Sequence, residues 1–92
     1  MNTPRPFAIR GRLLLPIVQG GMGVGVSAHR LAGAVARAGA MGTIASIDLR
    51  HHHADLSAEA AHCRDRDVLN RLNLVALDRE IRAALEIASG RG

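Results

Sequence analysis

The sequence predicts an α/β fold in the order strand, helix, strand, helix. Three observations carry that reading. Short apolar runs at 13–19 (LLLPIVQ) and 41–47 (MGTIASI) have the length and composition of buried strands. Between them, AHRLAGAVARA places Leu31, Val35 and Ala38, with Ala32 and Ala36, on one helical face. From about Asp67 to Ser89 a longer segment repeats the pattern through Leu69, Leu72, Leu77, Ile81, Leu85 and Ala88. The first three segments have the spacing of a parallel strand–helix–strand crossover.

Residues 1–12 hold two prolines and a glycine and read as an irregular lead-in, leaving 13–92 as the structured part. Pro16 has no N–H for a ladder, so the first strand proper is expected to begin near Ile17. Ser27 is placed as the N-cap of the first helix and Gly39 as its stop. Residues 48–66 are polar without steady periodicity and read as a loop with a short helix around 57–63. In the last helix Asp78 and Arg82 form an i,i+4 pair, and Gly90 ends it. Two parallel strands do not cover both faces of a sheet. A third strand from further sequence, or another subunit, is therefore expected to complete it, and the unprotected edges favour self-association.

Composition narrows the function classes. The chain has 92 residues, one aromatic (Phe7), no Trp or Tyr and a formal charge of +4. Burial must come from Ala, Val, Leu and Ile, which suits close packing of helices on a sheet. All the basic residues are Arg, spread along the chain and balanced in part by acids, with no stacking aromatics beside them. That argues against nucleic acid as a partner. The lone Cys63 forms no internal disulfide and points to a reducing, cytoplasmic setting. No run approaches the ~18 apolar residues of a membrane span, and no secretory signal pattern is present.

The feature that asks for a ligand is PIVQGGMGVGVS at 16–27, with four glycines between positions 20 and 25. Glycine lets main chain approach a flat or phosphorylated group, and the following helix start offers N–H groups to an anion. One formal match is the dinucleotide fingerprint: Gly23-Val24-Gly25-Val26-Ser27-Ala28 fits G-x-G-x-x-A, and Asp48 follows 20 residues later. Gln19, Gly20, Gly21 and Met22, however, separate those glycines from the strand. A nicotinamide-binding, Rossmann-type reductase domain is the alternative this match keeps open.

PIVQGGMG, followed by an Ala-rich helix and AGAMGTIAS, resembles the opening of the FMN-dependent nitronate monooxygenases, formerly the 2-nitropropane dioxygenases. Flavin-dependent enoyl reductases of fatty-acid synthesis open in a similar way. The resemblance runs over nearly the whole chain from Pro16 and includes NRLNLVALDREIRAALEIA. It implies the N-terminal βαβα portion of a TIM-like (β/α)8 barrel, with FMN as cofactor and an alkyl nitronate and O2 as substrates. It also implies that Gly20-Gly21-Met22-Gly23 runs beside the isoalloxazine ring, with Gln19 as an amide donor and Met22 as a polarizable contact. Ala45 and Ser46 fall at the end of the second strand, where barrel active sites sit. The phosphate-holding loops and the histidine base come later in that family. No catalytic residue is therefore assigned within these residues, and the chain is expected to be inactive alone. A non-catalytic remnant or interaction protein is the other alternative.

Plainer roles stand beside these. Met22 also reads as a core or lining methionine, Gln19 as a strand-end group satisfying backbone, and Asp48 as the cap or start of the next segment. His51-His52-His53 with Asp55 invites a metal reading. Successive residues of an extended segment point to opposite sides, so the three imidazoles are not expected to converge on one ion. His62 and Cys63 add no recognised ligand spacing. No metal site is assigned.

Overall fold

The computed structural model describes residues 5–92 as a small mixed α/β protein. Its regular elements are β1 (Phe7–Ile9), β2 (Arg12–Leu14), α1 (His29–Arg37), α2 (Ala54–Ala60) and α3 (Arg66–Ala88), with a 3-10 turn at Leu49–His52 before α2. The radius of gyration is 15.4 Å, with extents of 55 × 20 × 20 Å. A compact domain of this length would measure about 12 Å. The chain is elongated, and several apolar faces stay open.

Within the expected irregular lead-in, the described residues from Phe7 onward form a hairpin. β1 and β2 pair antiparallel, Phe7 opposite Leu14 and Ile9 opposite Arg12. Arg10 and Gly11 join them with φ of 51° and 79°. Positive φ at both central residues is the I′ hairpin geometry, whose twist matches that of the strands. Met1–Pro4 lie outside the described residues.

The expected crossover is present in abbreviated form. Val18 and Met41 make a parallel bridge, with Gln19 N–H donating to Met41 O (3.0 Å) and Met41 N–H to Ile17 O (3.0 Å). Leu15 N–H also donates to Gly39 O (2.9 Å), so main-chain contact covers 15–19 against 39–41 but does not continue along 41–47 as the apolar run suggested. β2 ends at Leu14, before Pro16, and beyond Met41 side chains replace the ladder. α1 lies directly over this crossover. At Gly42 an added Cβ would collide with the Ala32 carbonyl, and at Gly33 it would lie 2.8 Å from Ile87 Cβ. Small residues on α1 and at Gly42 thus let helix, strand and α3 touch through main chain.

The second helical region begins earlier than expected, as the 3-10 turn followed by α2 at 54–60 rather than 57–63. Leu49, Leu56, Ala60, Leu72 and Ala76 form the buried cluster, with Ile44, Val68, Leu69 and Leu77 packed on it. Asn73 on α3 pins the turn by accepting from the Arg50 N–H at 3.2 Å. α3 begins with Asp65 as N-cap, accepting from Asp67 N–H at 2.9 Å, and ends at a left-handed Ser89. Its buried face is Leu72, Ala76, Glu80 and Ala88. Ile81 and Leu85, expected in the core, are exposed. They border a groove of about 770 Å³ together with Leu14, Ile44 and Leu77.

One surface contact ties α2 to α3. Arg79 grips Asp55 with two parallel hydrogen bonds of 2.9 Å. The Arg79 hydrogen bond holds the Asp55 carboxyl below its ordinary value of 3.8. A depressed folded value means the stabilisation is present above 3.8 and is lost as pH falls through the lower folded value. Both groups are solvent-exposed, so the effect is small and screened. In Asp55→Asn, the acid-side drop in melting temperature below about pH 4 should shrink, and the difference should vanish near 1 M salt, where the Debye length is roughly 3 Å. An unchanged acid profile at low salt would remove the pair from the stability account.

Candidate functional site

At one end of the crossover the glycine segment continues alongside residues 43–47. An added Cβ at Gly21 would sit 3.6 Å from Thr43 Cγ2 and 3.7 Å from Ala45 Cβ. At Gly23 it would collide with Ile47 Cγ2, and at Gly20 it would meet nothing within 4 Å. Met22 is 46% exposed, and Val18, Val24 and Ile47 are also exposed. Ala45 is half-buried and Ser46 exposed. The structure therefore brings Gly21 and Ala45 together and leaves Met22 and Ser46 open to solvent.

Gln19 faces inward instead. Its Nε2 donates toward Ser27 Oγ (2.6 Å), Gly20 O (2.9 Å) and Thr43 O (3.2 Å), and its Oε1 accepts from Thr43 N–H (3.1 Å). The amide acts as a strut between the two strand segments where the ladder stops, which is the backbone-satisfying role. Ser27 belongs to the same strut. It is fully buried and its hydroxyl donates to Thr43 O. It does not cap α1: the N-cap is Ala28, with no side-chain cap bond. Ser27 satisfies the sequence rule for a cap, but the nearby strand carbonyl takes its hydroxyl first.

The cap comes from α3. Glu80, 1% exposed, accepts from the His29 N–H through Oε2 at 2.7 Å. His29 Nδ1 lies 2.6 Å from the same oxygen. On its other oxygen, Oε1, His53 Nε2 stands at 3.0 Å and His52 Nε2 at 3.6 Å. These two approaches lack hydrogen-bond alignment, so His53 Nε2 and Glu80 Oε1 are both buried without a partner. Burial pushes the Glu80 carboxyl up, but the His29 main-chain and ring hydrogen bonds, with the charge of His29 and His52, outweigh it and hold the group below its ordinary value.

The sequence argument against convergence holds for His51, which is exposed, but not for its neighbours. It assumed an extended segment. Residues 49–52 instead wind into a 3-10 turn, which sets the His52 and His53 rings edge to face, 5.7 Å apart. His29 and Glu80 were not singled out from the sequence. A readable signal existed: Leu72, Ala76 and Glu80 recur every four residues, placing a carboxylate on an apolar stripe. His29 and His52 also border a cavity of about 440 Å³ with Gly25, Val26, Ala28 and Leu31.

Asp48, the ribose candidate of the dinucleotide match, is left-handed (φ 46°) and accepts from Arg50 Nη1 at 3.0 Å. Among the described residues no helix is long and apolar enough to cross a membrane. Comparison of the chain with protein-family models, with curated proteins and with solved structures gives no match.

Proposed function

We propose that this chain is the opening βαβα portion of a TIM-like (β/α)8 barrel in an FMN-dependent oxidoreductase, of the type that oxidises alkyl nitronates with O2. One observation carries the reading. Gly21 packs against Ala45, beyond the ends of two segments paired in parallel, with Gly20 open on one side of it and an exposed Met22 on the other. The resemblance of PIVQGGMG and AGAMGTIAS to nitronate monooxygenases supports it from the sequence side.

A planar ring fits such a surface, because no Cβ projects from Gly20 or Gly21 and main chain there can approach its polar edge. FMN held there would supply the electron acceptor for nitronate oxidation, with O2 as the terminal oxidant. The chain's own part is positional. Gln19 and Ser27 fix the strand ends through Thr43, Gly20–Gly23 and Ala45–Ser46 offer a flat wall, and Met22 offers a polarizable contact. None of these groups is a base for the substrate, so no proton-transfer role is assigned to them.

Nuclear magnetic resonance mapping tests this. Titrating FMN into the isotope-labelled chain should shift the amides of Gly20, Gly21, Met22, Gly23, Ala45 and Ser46, and Gly21→Val should abolish those shifts while the α1 and α3 signals persist. FMN shifts confined to other residues, or none at millimolar FMN, would overturn the reading. NADH shifts centred on Gly23–Ala28 and Asp48 would favour the nicotinamide alternative instead.

A further inference from the structure

We propose that His29, His52 and Glu80 form a binding site for a divalent transition-metal ion of the zinc class, open on one side to the cavity that His29 and His52 border. The proposal is independent of the flavin reading, since it uses none of the residues at 19–23 or 45–46.

The donor set comes first. One ligand atom from each of the three residues lies within 4.8 Å of the others. His52 Nε2 and Glu80 Oε1 are 3.6 Å apart. Two ligands at about 2.0–2.2 Å from a tetrahedral ion stand roughly 3.4 Å apart, so this pair already has the separation of two ligands on one metal. Two imidazoles and a carboxylate favour zinc, cobalt or nickel over magnesium or calcium, which prefer an all-oxygen shell.

An unmet electrostatic demand comes second. Glu80 is 1% exposed, and its Oε1 is a buried acceptor with no hydrogen-bond donor. A buried carboxylate oxygen without a partner is costly. The atoms that face it are imidazole nitrogens: His53 Nε2, itself unpartnered, and His52 Nε2. A cation on Oε1 would satisfy that oxygen and use the His52 lone pair. His29 Nδ1, now 2.6 Å from Glu80 Oε2, would turn its lone pair to the ion, and any proton it carries would be released. His53 remains beside the carboxylate as a positioning group.

Access and support come third. His29 and His52 line the 440 Å³ cavity, which gives an entry path and room for water as a remaining ligand. The three residues belong to α1, the 3-10 turn and α3. A bound ion would therefore cross-link three elements that are far apart in sequence.

The test is titration of the full 92-residue chain with Co2+, read by its visible absorption, and with Zn2+, read by calorimetry and thermal melting. Binding of one ion per chain is expected, with a melting temperature that rises with Zn2+ concentration. His29→Asn and His52→Asn should each weaken binding at least tenfold, while His51→Asn, on the exposed neighbour, should leave it unchanged. Circular dichroism verifies folding of each variant; His52 is 37% exposed, so its variant retains the fold and decides the matter if His29→Asn does not. Retained affinity in His52→Asn, an equal loss in His51→Asn, or more than one ion per chain would overturn the proposal, because each would mean capture by the histidine run on the surface.

Discussion

Glu80→Ala is expected to destabilise the chain by about 3 kcal/mol, the range for losing hydrogen bonds to a buried charged group. Its Oε2 alone serves both the first N–H of α1 and the His29 ring, at 2.7 and 2.6 Å. Truncation leaves that N–H without a cap and removes the carboxylate that His29, His52 and His53 approach. Glu80→Gln keeps an acceptor for the N–H but loses the charge, and should cost about half as much. Urea unfolding followed by circular dichroism measures both. A loss below about 0.5 kcal/mol for the alanine variant, the scale of an ordinary surface change, would show that α1 does not depend on this carboxylate.

Gly42→Val is expected to cost a comparable amount, about 3 kcal/mol, at the upper end of overpacking effects. A side chain there would meet not a movable neighbour but the Ala32 main chain, with its carbonyl carbon 2.8 Å and its Cα 3.0 Å from the new Cβ. Relief requires α1 to lift off the crossover, which also pulls Gly33 away from Ile87. Gly20→Ala is the internal control. Nothing lies within 4 Å of its added Cβ, so it should change stability by less than about 1 kcal/mol. The pair separates glycines needed for packing from a glycine left open to solvent. If Gly42→Val unfolds at the wild-type urea midpoint, the close approach of helix to strand is wrong.

What could be read from the sequence was what is local. The periodicity of 28–38 and 67–89 locates α1 and α3 to within a residue or so, and the apolar runs around Ile17 and Met41 mark the segments that pair in parallel. The hairpin was hidden because Arg-Gly is a weaker turn signal than Asn-Gly and two prolines precede it. The start of α1 was misassigned for a different reason. Ser27 satisfies the local capping rule, but Thr43 O claims its hydroxyl and the cap arrives from another helix. The histidine cluster likewise depends on a single 3-10 turn, which no apolar period announces. At the glycine segment, residue types suggested a flat surface, and main-chain geometry places Gly21 over Ala45. Gln19 turned out to hold that surface together from behind.

The dependence of α1 on Glu80 has a consequence for how the polypeptide emerges from the ribosome. A nine-residue helix is too short to persist alone in water, and its capping carboxylate is translated 51 positions later. At about 5–20 residues per second, that interval lasts roughly 3–10 s. Throughout it the segment His29–Arg37 is an unfolded, alanine-rich stretch beside the apolar 13–18 run, and that nascent window is when the molecule is most exposed to chaperone capture or misassociation.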